Sequence, residues 1–218
     1  RSSDLNDVES EFTIQLRDKW SNYSDKRTEI LTPIYEAEIP VEDLSPMDFA
    51  YTQNFDLSEM QYIPLMWDNK FEDNITGKTV IPWYASITIS PEPIRLSRII
   101  IWQYTWASYN YAHYYAGGNG RVYEIYGTDK DVPSTDMTDW VLLRTCEIIK
   151  PSGWPIGVGR ENQSDEDFDL AHNRGHEYNI PLDAPAVRHL RIRCIEGFET
   201  QLGSFSELDI FGSPIKKE

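Results

Sequence analysis

The stretch WQYTWASYNYAHYYAGGNGR, residues 102–121, sets Tyr104, Trp106, Tyr109, Tyr111, Tyr114 and Tyr115 beside His113, Asn110, Asn119 and Arg121. Trp102 closes an apolar run and is assigned to the core. One short connection cannot bury all the remaining rings. Flat rings can stack on the C–H faces of a sugar while Asn, Arg and His side chains fix its hydroxyls, which is the usual make-up of a pocket: an apolar wall and a few placed polar groups. The competing reading is a satellite core beneath a long loop. A second platform candidate is Trp154 in KPSGWPIGVGRENQ, set between Gly and Pro where burial is difficult, with Arg160 nearby in sequence. The candidate ligand-binding residues are therefore Trp106, Tyr109, Tyr111, His113, Tyr114, Arg121, Trp154 and Arg160.

Catalytic patterns are missing. The histidines are His113, His172, His176 and His189, and the pair in HNRGHEY has a Gly between its members, so no zinc-protease pattern forms. There is no G-x-S-x-G, no P-loop and no dinucleotide fingerprint. With 36 acidic residues a glycosidase pair could always be named, but nothing singles one out. The expectation is binding without catalysis. The formal net charge of -16 repels nucleic acid and disfavours anionic lipid, and suits neutral ligands or cations; it also simply keeps a protein soluble. Cys146 and Cys194 each lie in an apolar run and not in a C-x-x-C; they read as two buried thiols or as one disulfide.

The elements that must hold these residues follow period 2. Phe12, Ile14 and Leu16 share one face, as do Ala85, Ile87 and Ile89. Leu190, Ile192 and Cys194 lie opposite His189, Arg191 and Arg193, and Leu208 pairs with Ile210. The runs RIIIW and WVLLR suit strands covered on both faces. Links such as AGGNG, KPSGWP and NIPLDAP are turn-rich, and no helix is expected beyond a turn near PVEDLSPMDFA. Hydrophobic residues at 40% suffice for a core, so the reading is an all-β antiparallel sandwich. Residues 1–38 stand apart as a hairpin, which alone is marginal in water. It either packs on the domain of residues 39–218 or is the last hairpin of an upstream domain. The chain begins at Arg1 rather than Met, so a leader or lipid anchor upstream is expected.

Three segments in order resemble the discoidin, or coagulation-factor type C, family. They are WDNKFEDNITGKTVIPWYASITIS with LSRIIIWQ, GRVYEIYGTDKD with TDWVLL, and VRHLRIRC with GSFSELDIFG, together spanning about residues 65 to 212. CEIIKPSGWPIG and DKWSNYSD are similar to a subgroup in Bacteroidetes outer-membrane lipoproteins, where an immunoglobulin-like or fibronectin type III-like module precedes a discoidin-like C-terminal domain. The resemblance implies a galactose-binding-like jelly roll preceded by the hairpin of such a module. It implies a non-catalytic glycan-binding domain at the outer-membrane surface or in the periplasm, tethered through an N-terminal lipid anchor. It also implies a structural Ca²⁺ held by Asp68 and Glu207, with Thr76 or Thr79 and loop carbonyls completing the shell. Asn69 departs from the family's usual Gly, and the cysteines do not match the disulfide of the factor-type domains. The rival expectations are an adhesion module docking another outer-membrane protein and an accessory domain of an enzyme.

Overall fold

The computed structural model describes residues 9–31, 36–72 and 80–214. The chain divides into two compact units, Arg1–Ala37 and Glu38–Glu218.

In the smaller unit β1 (Ser10–Ile14) pairs antiparallel with β2 (Arg27–Leu31), Ser10 facing Leu31 and Ile14 facing Arg27. The Asp18 carboxylate closes the turn by accepting the N–H groups of Trp20 and Asn22. The apolar face read from the period is present but not covered: Phe12, Ile14 and Leu16 are exposed. Among the described residues of this unit, the two-stranded ribbon has no second layer to bury them against.

The larger unit holds two antiparallel sheets. One runs β4 (Ser45–Pro46), β5 (Trp83–Thr88), β10 (His189–Gly197), β7 (Gly120–Thr128), β8 (Val141–Glu147); the other runs β3 (Ala37–Glu38), β11 (Glu207–Pro214), β6 (Ile94–Trp102), β9 (His176–Asn179). Alternation fixes the core: Ala85, Ile87, Ile89, Leu190, Ile192, Cys194, Leu208 and Ile210 are all buried. Ile99, Ile100 and Ile101 of β6 are covered on both faces as expected. The same expectation fails for WVLLR. Val141 and Leu142 are exposed and only Leu143 is buried, because β8 is an edge strand whose ladder is broken by a bulge opposite Ile125 and Tyr126.

Cys146 and Cys194 are buried free thiols. Both pair with Tyr123, from opposite sides of β7, so two strand spacings of about 4.8 Å separate them, too far for a bridge. Helical turns exceed the reading. Turns at Val41–Asp43 and Phe49–Tyr51 fall where one was expected, but Met60–Trp67 forms a longer 3-10 segment. A short helix, α1 (Asp165–Asp169), runs into a π-turn at Leu170–Arg174. Ser164 and Asp167 form a capping box at its start, a pattern written in the sequence as S-x-x-D.

Strand registers gather the functional connections. Trp102 at the end of β6 faces Glu207 at the start of β11, and His176 at the start of β9 faces Ile101. Gly120 at the start of β7 faces Gly197 at the end of β10, and Glu147 at the end of β8 faces Val122. Segments 103–119, 148–175 and 198–206 therefore all emerge at one end of the sandwich.

Candidate functional site

The connection from β6 to β7 is folded around Asn119. Its buried amide donates to the carbonyls of Tyr104 (3.0 Å) and His113 (2.8 Å) and accepts the Tyr104 N–H (3.0 Å). Asn119 is thus the staple of the loop, and not the hydroxyl-binding group that its type suggested. Beneath the loop, Gln103 accepts the Tyr115 N–H and donates to His176 Nε2 (3.0 Å). Burial pushes His176 down to about 4, so its imidazole is neutral and accepts.

Left-handed backbone at Asn110 (φ 51) and Tyr111 (φ 56) then splits the rings into two groups. In the first, Trp106 lies 5.4 Å from Tyr109 and 4.9 Å from His113, and Tyr109 lies 5.3 Å from His113, with Tyr104 behind them. Tyr109 is 60% exposed; Trp106 and His113 are half-buried. Among the described residues His113 Nδ1 is buried without a hydrogen-bond partner, and burial holds this imidazole below its usual range, hence neutral near pH 7. The second group contains Tyr111, Tyr114, Phe168 and His172, and the Arg160 guanidinium lies 4.6 Å over Phe168.

The candidate residues thus fall into different surroundings. Trp106, Tyr109 and His113 come together at the surface. Tyr111 and Arg160 belong to the second group, and Arg160 also pairs with Asp165. Tyr114 is sealed: it is buried and bonds His172 Nδ1 at 2.8 Å, so its ring offers no platform. Arg121 is held by Glu147 and Glu196 and its charge is already met. Trp154 stands 49% exposed on its own turn. Trp102 is half-buried and donates to Asp209 at 2.9 Å rather than joining the core.

Other residues at this end were not singled out by type. Glu72 accepts the Ala107 N–H (3.2 Å) and Glu199 accepts the Gly117 N–H (2.5 Å), so a carboxylate is fixed on each flank of the first ring group. Ile156 and Val158 are also open to solvent. The alternation Trp154, Ile156, Val158 was a sequence signal that could have found them.

Asp68 and Glu207 do meet. Their carboxyls share the Lys70 N–H, which donates to both, at 3.0 and 2.9 Å. Lys70 Nζ also pairs with Asp68 at 2.9 Å. Burial, then the Asp68 contact, pushes Glu207 up to about 8. Two touching carboxyls suit a hard cation, yet among the described residues no three His, Cys, Asp or Glu side chains converge. Calcium there would need carbonyl oxygens as well. Thr76 and Thr79 lie outside the described residues.

Sandwich, strand order and loop end together define a discoidin-like, galactose-binding-like jelly roll. The chain belongs to DUF5000, a domain of unknown function, whose family model matches residues 67–212. A second model, DUF5126, also a domain of unknown function, matches residues 3–42. Among solved structures, a SusE-like Bacteroides protein is 25% identical, with a TM-score of 0.73 over 96% of this chain and 79% of its own. The C-terminal domain of a Bacteroides fragilis chitobiase is 11% identical, with a TM-score of 0.50 over 83% of this chain and 100% of its own. A family 32 carbohydrate-binding module from C. perfringens NanJ, solved with galactose, is 16% identical, with a TM-score of 0.46 over 81% of this chain and 99% of its own. No curated protein sequence matches the chain.

Proposed function

We propose that this chain is a non-catalytic glycan-binding module of an extracytoplasmic protein, taking neutral carbohydrate on the Trp106–Tyr109–His113 group. The observation that carries this reading is an exposed ring group on a stapled loop. Asn119 and Gln103 fix the backbone, the rings touch at about 5 Å, and Tyr109 still faces water. Preorganised rings stack on a ligand without first losing conformational entropy. His113 supplies a neutral imidazole beside them. The likeness to a SusE-like protein supports a place at the cell surface or in the periplasm, and an upstream lipid anchor would tether it there. No helix among the described residues is long and apolar enough to cross a membrane. Asp68 and Glu207 would hold a structural Ca²⁺, through their carboxylate oxygens, and tie segment 68–72 to the start of β11.

The test is a glycan array, followed by native affinity gels with Trp106→Ala and Tyr109→Ala. Retention of the wild type on at least one neutral glycan, lost in both variants, is expected. No retention on any glycan overturns the reading. Capture of an envelope protein at this end of the fold instead would make it a docking module.

A further inference from the structure

The turn that carries Trp154 is built with unusual care for a segment so open to water. Trp154, Ile156 and Val158 occupy alternate positions and are 49%, 48% and 49% exposed. Behind them the charges are hidden. The fully buried Asp167 accepts the Ser152 N–H (2.9 Å), the Ser152 hydroxyl (2.6 Å) and the Ser164 N–H (2.9 Å). Burial alone would raise its affinity for protons, but these hydrogen bonds hold it below the usual carboxylate range, so it stays ionised. The Lys150 ammonium, also buried, donates to the carbonyls of Pro155 (2.9 Å) and Asn162. Burying two charged groups is costly unless their hydrogen bonds are met. Here they fix both ends of a segment whose apolar side chains face solvent.

That segment continues the ring group. The Gly159 N–H donates to the Ala112 carbonyl at 2.9 Å. A Cβ on Gly117 would touch His113 Cδ2 at 3.4 Å and Val158 Cγ2 at 3.8 Å, so Val158 and the His113 ring border the same small gap. The ring group of Trp106, Tyr109 and His113 thus borders Val158, and exposed Ile156 and Trp154 precede Val158 at alternate positions, together an apolar track. Glu72 and Glu199 flank its first part, which disfavours an anionic occupant.

We infer that the site takes an extended neutral glycan chain, with several sugar residues laid along the track, rather than one terminal sugar. This rests on the glycan-binding reading above. Trp106 and Tyr109 grip one residue, Val158 and Ile156 carry the chain, and Trp154 stacks on a residue further along.

The experiment uses four neutral polysaccharides, a galactan, a mannan, a glucan and a xylan, in affinity gels, and titrates the matching monosaccharides and longer oligosaccharides. The longer oligosaccharide is expected to bind at least about tenfold tighter than the monosaccharide, and Trp154→Ala is expected to erase that gain. Ile156→Ser, which changes an exposed side chain and neither Lys150 nor Asp167, should reduce it. Equal affinity for monosaccharide and oligosaccharide, with Trp154→Ala silent but Tyr109→Ala disabling, overturns the chain inference and leaves the glycan-binding reading standing. Absence of all glycan binding removes both.

Discussion

The Asp68 and Glu207 carboxyls share one donor, the Lys70 N–H, which lies 3.0 Å from the first and 2.9 Å from the second. Two carboxyls brought together on one N–H, with opposite shifts, are expected to keep one proton between them at the start of β11. Glu207 is pushed up to about 8 by burial and by Asp68. Asp68 moves the other way: burial opposes it, but the hydrogen bonds from Lys70 and Glu207 hold it below the usual carboxylate range.

The sign of the pH dependence follows. A raised carboxyl holds a proton in the folded chain that the unfolded chain has released, so its stabilisation is full below about pH 4.5 and is lost as pH rises through about 8. Thermal unfolding is expected to show Tm falling over that window, and Glu207→Gln should flatten it. Millimolar calcium should raise Tm near pH 8 far more than near pH 5, because the cation competes with the proton. A Tm that does not fall in the wild type contradicts the shared proton. A Tm unmoved by calcium at the alkaline end removes calcium from this pair.

Asn119→Ala should unpin the ring loop. It leaves the N–H and C=O of Tyr104 and the C=O of His113 without their buried partner. A cost of about 2 kcal/mol or more is expected in urea unfolding. Glycan binding should fall further than stability alone explains, and hydrogen exchange should quicken over residues 103–119. A fully stable variant with unchanged exchange would show that the staple is dispensable.

Arg191 is a second buried anchor. Its guanidinium lies 4.2 Å from the Tyr84 ring and 4.0 Å from Trp140, and donates to Ser86 Oγ and to the carbonyls of Thr135 and Asp136. Burial lowers its proton affinity, but an arginine remains charged at any ordinary pH. Arg191→Met is expected to lose about 2–4 kcal/mol, because two carbonyls lose their donor and the segment around residue 135 loses its hold on the sheet. Arg191→Lys should recover only part, since an ammonium cannot reach both carbonyls while lying between two rings. Equal stability of Met and wild type would show that packing alone holds that segment.

Much of this molecule is legible as sequence, and the failures have physical causes. Ile87, Ile192 and Ile210 announce their burial because a half-buried strand must alternate. Arg191 sits on the face read as polar, yet it is buried, since the segment around residues 135–140 folds over it from far along the chain. Val141 and Leu142 mislead because a continuous apolar run does not reveal whether a strand is central or at an edge. In the ring loop there is no period to read. Tyr109 is open and Tyr114 sealed because Asn110 and Tyr111 adopt left-handed backbone, which the residue types permit but do not announce. Glu72 and Glu199 join the site only through contacts distant in sequence. The Ser164–Asp167 capping box, by contrast, was a readable signal for a helix.

Most direct of all is titration of the best neutral glycan from the array into wild type, Tyr109→Ala, Trp106→Ala and a distant exposed control, Leu142→Ala. Wild type and control should bind alike, with both ring variants at least about tenfold weaker and their unfolding transitions little changed. Binding that survives loss of both rings would place any carbohydrate site elsewhere and contradict the function proposed for this end of the fold.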